Sequence, residues 1–152
     1  MFKSCCGKKV KKHKPYSQTK KVEAILKDIS KANKSIQLIT LLDPEKQIVA
    51  GYVQSLSTGI SEDKVFDEMM KRILGFKDSC DSMAKQIGFD YSGEIYLKGK
   101  NSIVLLSPIE EYTLAFYFEM NELKVEFFDC EHFIATLDDF IVNLQKLMTG
   151  AA

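Results

Sequence analysis

The sequence predicts one domain of the α/β (α+β) class, an antiparallel sheet covered by helices, preceded by a basic tail. Three observations carry this reading. Apolar residues recur at spacings of three and four in a first, a middle and a final segment, which is the helical period. Between these segments lie five short runs of β-prone residues bounded by turn residues, Asp43, Pro44, Glu45 and Lys46 among them. Charge divides the chain as well. Of 21 basic and 21 acidic residues in a chain of 152, eight lysines and no acid fall within residues 1–21, leaving 13 basic and 21 acidic residues beyond. A tail of +8 therefore precedes a body of −8, two objects that sum to zero.

Residues 1–19 hold Lys, Ser, Gly and Pro15 and almost nothing to bury, so they are expected to form a disordered tail, with the folded domain at 20–149. From Lys20, the residues Val22, Ile25, Leu26 and Ile29 mark one face of a short first helix. Residues 35–43 and 47–53 read as two antiparallel strands around the Asp43–Lys46 turn. Ser61, Glu62, Asp63 and Glu68 suit a helix start, where the dipole favours oxygen acceptors and negative charge. The middle helix follows as Phe66, Met69, Ile73, Phe76, Cys80, Met83 and Ile87, with Gly88 as its stop, a span of about 25 residues or roughly 37 Å. Val65, Met70 and Leu74 add a second stripe, read equally as a wide core face or as surplus that meets another protein. Gly75 lowers helix stability by up to ~1 kcal/mol relative to Ala, which another backbone coming close would explain.

Residues 94–99 alternate, residues 98–101 make a hairpin connection, residues 102–107 run almost wholly apolar, residues 108–111 turn and residues 112–118 are an aromatic strand. After Asn121 the spacing of Leu123, Phe127, Cys130, Ile134, Leu137, Ile141, Leu144 and Met148 predicts one long final helix stopped by Gly150. A competing reading makes 124–128 a sixth strand and starts the helix at Asp129.

This order of elements resembles the roadblock family of dynein light chains, bacterial polarity regulators and Ragulator-type subunits. The resemblance lies in DPEKQIVAGY within residues 36–53, in the meander EIYLKGKNSIVLLSPIEEYTLAFYFE and in the Asn121 that follows, and it covers residues 20–149. Longin and profilin folds share the central sheet, but a longin domain would begin with a strand. The resemblance implies a roadblock/profilin-like five-stranded antiparallel sheet, with the long middle helix on one face and the N- and C-terminal helices on the other. It also implies dimers, with itself or a related subunit, in which middle helices pair and sheets join across the strand at 94–99. Phe66, Met69, Met70, Ile73, Leu74, Phe76, Lys77, Ile95 and Leu97 are the interface residues this suggests. Their contribution is apolar burial, and the implied function is a non-catalytic scaffold for a Ras-like small GTPase. A motor adaptor without a GTPase and a small-ligand sensor are the alternatives.

Several classes are excluded or disfavoured. No apolar run approaches the ~18 residues of a membrane span, and the N-terminus lacks the apolar stretch of a secretory signal, so a cytoplasmic or peripherally membrane-held protein is expected. The common nucleotide and metal motifs are absent, and no cofactor or catalytic residue is assigned. Adjacent Cys5 and Cys6 with His13 make a poor tetrahedral site. The same pair beside Lys3, Lys8, Lys9, Lys11, Lys12 and Lys14 instead suits S-acylation and an anionic membrane, where each Lys is worth ~1 kcal/mol. Phe2 rules out N-myristoylation. Nucleic acid is not expected, because Tyr16 alone offers a base platform and the body is acidic. Cys130 and His132 are two apart on a helix and diverge, so Cys80 and Cys130 read as core thiols.

Overall fold

The computed structural model describes residues 16–54, 62–88 and 94–149. Its first helix, α1 (Tyr16–Ala32), turns Val22, Leu26 and Ile29 inward to zero exposure, and it begins four residues before Lys20, with Thr19 buried. β1 (Ile36–Leu42) and β2 (Ile48–Val53) follow as an antiparallel pair. Their turn is set by Asp43, whose Oδ1 accepts the N–H groups of Glu45 and Gln47, each at 2.9 Å. Lys46 completes the turn at φ 64°. The middle helix, α2 (Glu62–Ile87), has the predicted length, and Gly88 ends it at φ +63°, the left-handed conformation a glycine adopts without a Cβ clash. The expected helix-start residue Ser61 and the stop Gly150 lie outside the described residues, as does the side chain of Val65.

β3 (Ile95–Lys98), β4 (Ser102–Ile109) and β5 (Tyr112–Glu119) complete a five-stranded antiparallel sheet of order β2-β1-β5-β4-β3. The turn expected at Pro108 is shorter than predicted. β4 runs through Pro108, which pairs with Thr113, and only Glu110 and Glu111 connect the strands. Pro108 lies two residues beyond Leu106, the last β4 residue paired to β3, so its missing N–H interrupts no pairing among the described residues.

The single final helix is also corrected. Asn121 and Asp129 each cap a separate helix, α3 (Glu122–Phe127) and α4 (Cys130–Ala135), through hydrogen bonds from the Lys124 and His132 N–H groups, and α5 (Asp138–Thr149) follows. The break has a packing cause: extended backbone at Phe128 points its ring into an aromatic cluster, 4.9 Å from Phe118 and 5.7 Å from Phe133. Residues 122–127 are helical, so the sixth strand is absent.

Alternation sorts the strands onto two faces, adjusted by two bulges. Gln37 is extra opposite β5 and Val49 is extra opposite β1, which brings Ile36 and Ala50 round to the face of Ile39 and Leu41. That first face is covered by α1 and by α3 to α5, with Phe116, Phe118 and Phe133 at its centre. α2 lies on the second face, over Leu38, Leu42, Val104, Leu106, Ala115 and Tyr117. The placement of the long helix opposite the terminal helices agrees with the arrangement the resemblance implies.

Candidate protein interface

α2 does two different things along its length. In its first half Phe66, Met69, Met70 and Ile73 are 0–5% exposed and packed on the sheet. Gly51 of β2 makes room for the Phe66 ring: a Cβ there would sit 3.2 Å from Phe66 Cε1. These four residues are held by their own chain, and so form the floor of any interface rather than its surface. Leu74, Phe76 and Lys77 are half-buried. Beyond them the same stripe leaves the sheet: Cys80 is half-exposed, Met83 is 62% exposed and Ile87 is 66% exposed. Cys80 is therefore no core residue, whereas Cys130 is buried as expected. Burial raises the pKa of both thiols, which keeps them protonated and poor nucleophiles.

Polar contacts fix this overhanging half. Lys46, in the β1–β2 turn, reaches Asp78 Oδ1 at 2.6 Å and Asp81 Oδ2 at 3.4 Å, and Lys77 pairs with Asp81 at 3.1 Å. The hydrogen bond to Asp78 raises the Lys46 pKa. Over β5, Arg72 donates to the Tyr117 hydroxyl and lies 5.6 Å from its ring centroid. No atom outside the helix's own backbone and Gly75's neighbours comes within 4 Å of a Cβ built on Gly75, so the close backbone that would explain this glycine is not among the described residues of the chain itself.

β3 supplies the second part. It is an edge strand, paired on one side only, to β4. Pairing of Ile95 with Leu106 and of Leu97 with Val104 puts both β3 residues on the α2 face, where Leu97 is 57% exposed. They form an apolar pair along a strand edge with no partner among the described residues, on the sheet face that also carries α2. Such an edge invites another strand. On the opposite face, Tyr96 is half-exposed, and Lys98 Nζ donates to the Phe128 carbonyl at 2.8 Å and the Glu126 carbonyl at 3.2 Å, tying the edge strand to the end of α3.

Other chemistry is sparse. Among the described residues no three His, Cys, Asp or Glu side chains are grouped to hold a metal ion, and no helix is long and apolar enough to cross a membrane. His132 is exposed and its backbone N–H donates to Asp129, away from any catalytic arrangement with Cys130. Two grooves are open among the described residues. One, of about 380 Å³, lies at the end of α1 beside Tyr52, with the Gln54 amide donating to Ser30 Oγ. The other, of about 600 Å³, is bounded by Asn33, Phe127, Phe128, Asp129 and Phe140. The sequence marked Lys46 and Lys98 only as turn residues and Phe127 only as part of the final helical spacing, and Tyr96 was not singled out. Cys5, Cys6 and the six tail lysines lie outside the described residues.

No protein-family model matches the sequence, and no curated protein is significantly similar to it. Solved structures are similar across nearly the whole chain. MglB of Myxococcus xanthus superposes with a TM-score of 0.60 at 12% identity, covering 91% of this chain and 96% of that one. The gliding protein MglB of Thermus thermophilus gives 0.63 at 12%, covering 90% and 95%. A Roadblock/LC7 domain from Streptomyces avermitilis gives 0.58 at 11%, covering 84% and 97%. The fold is that of roadblock domains.

Proposed function

We propose that this roadblock-fold chain is a non-catalytic regulatory scaffold that acts as a dimer, with itself or a related roadblock subunit, and binds a Ras-like small GTPase. One observation carries the dimer: α2 is longer than the sheet beneath it, and its uncovered stripe lies on the same face as Ile95 and Leu97 of an unpaired edge strand. A second copy would bury Leu74, Phe76, Lys77, Ile95 and Leu97 over the floor of Phe66, Met69, Met70 and Ile73. It would also extend the sheet. A structure described as MglB with a tetrameric arrangement shares the fold at a TM-score of 0.64 and supports self-association as the reading. The GTPase rests on the likeness to MglB structures together with the family resemblance of the strands.

The tail adds a membrane. Lys3, Lys8, Lys9, Lys11, Lys12 and Lys14 would hold an anionic surface, and S-acylation of Cys5 and Cys6 would make the attachment stable. Hydroxylamine-sensitive lipid labelling of the native chain, lost in Cys5→Ser/Cys6→Ser, is the expected result. The function itself is tested by measuring binding of the full chain to the Ras-like GTPases of its source, each loaded with GDP and with a GTP analogue. Nucleotide-dependent binding supports the reading; no binding in either state contradicts it.

A further inference from the structure

The aromatic groove on the first face has no role in that reading. It lies between the C-terminal end of α1 and the α3–α4–α5 segment, encloses about 600 Å³, and has Phe127, Phe128, Phe133 and Phe140 among its lining residues, with Asp129 and Asn33 beside them. Phe127, at its mouth, is 75% exposed. Beside the half-buried Phe128 and Phe140 it belongs to one apolar lining, and contiguous exposed apolar surface marks an interaction site.

We propose that the groove is the intramolecular docking site of the chain's own lysine-rich segment, residues 1–15. Charge favours this occupant. Residues 122–149 carry Glu122, Glu126, Asp129, Glu131, Asp138 and Asp139 against Lys124 and Lys146, while residues 1–15 carry six lysines and no acid. The groove's own lining carries the Asp129 carboxylate and no lysine or arginine. The chemistry suits lysine: its methylene stem packs on phenyl faces while its ammonium meets a carboxylate or the ring itself. Phe2 and Val10 supply apolar anchors.

Reach and local concentration also fit. α1 has 17 residues, so Tyr16 lies roughly 25 Å from the groove at ~1.5 Å per residue. Fifteen residues span up to ~50 Å when extended, leaving half the segment to lie in the groove. A short tether holds its end at an effective concentration of about millimolar, so a contact too weak to survive between separate molecules is populated within one. Docking on the acidic wall and adhesion to an anionic surface use the same lysines, which makes the two states mutually exclusive. Docking of the tail needs neither the dimer nor the GTPase.

Zero-length carbodiimide coupling of the native full chain tests it, since the reagent joins lysines only to carboxylates they touch. The expected products are intramolecular links from Lys3–Lys14 to Glu126, Asp129, Glu131, Asp138 and Asp139, unchanged on dilution and reduced at least fivefold in Phe127→Ala. Links spread evenly over remote carboxylates such as Asp67 and Asp78, links that vanish on dilution, or no tail links at all would overturn it. A second readout uses the absence of tryptophan from the chain. Emission of Phe127→Trp should shift to the red when the six tail lysines become Gln; identical spectra would overturn the proposal.

Discussion

The two faces of the sheet are built from similar strand residues and finished differently. The first face is closed by four helices, and its centre is a cluster of phenylalanines at zero to 8% exposure. A single helix covers the second face, and only half of it does the covering: α2 buries Phe66 to Ile73 and carries Met83 and Ile87 into solvent. In the proposed reading, stability and recognition are thereby separated. Substitutions on the first face should change folding and leave association alone, whereas those on the overhang and edge strand should do the reverse.

The sharpest contrast is expected from Phe116→Ala. Phe116 is fully buried, 5.2 Å from Phe133 and 5.8 Å from Phe118 by ring centroid, and its truncation should cost about 3–5 kcal/mol in denaturant unfolding. Next comes Met83→Glu with Ile87→Glu. Both sites are more than 60% exposed, so unfolding should shift by no more than ~0.5 kcal/mol each. Self-association should weaken more than tenfold, or ~1.4 kcal/mol. A large loss of folding stability instead would place these residues in the core. Gly51→Ala tests the covered half of the second face: the new methyl must displace the Phe66 ring from 3.2 Å, at about 1 kcal/mol in the same assay.

The smallest effect belongs to Glu23 on α1, whose pKa is raised by desolvation, partly offset by Lys20. A carboxyl with a raised folded pKa favours the fold most when protonated, so its contribution falls as pH rises through that value. Glu23→Gln should therefore raise Tm slightly at pH 7 and not at pH 4. A gain at pH 4 alone would reverse the sign.

The strands and α2 were legible because turn residues and side-chain period are local signals. Asp43 to Lys46, Lys98 to Asn101 and the stop at Gly88 all fall where the chain itself implies. The uncovered half of α2 was not legible, since a three-four repeat shows which side of α2 is apolar and not where the sheet beneath it ends. Ile73 and Met83 share one stripe in sequence; in the fold one is fully buried and the other 62% exposed. The terminal helices were misjudged for a related reason. Asn121 and Asp129 offered rival starts, and the structure uses both, because the tertiary pull of Phe118 and Phe133 on Phe128 breaks a helix that local spacing would continue. Likewise Pro108 looked like a turn, yet β4 runs on through it to pair with Thr113, past the last described pairing with β3.

Everything proposed for the second face depends on its uncovered side being covered by another copy. Sedimentation equilibrium of the full chain and of Leu97→Glu, across a range of concentrations, addresses this directly. The native chain should weigh twice its 17.3 kDa, or move towards that mass as concentration rises, and the variant should remain at 17.3 kDa with its folded circular dichroism intact. Two folded proteins that both assemble equally well, or a native chain that stays at 17.3 kDa throughout, would contradict it.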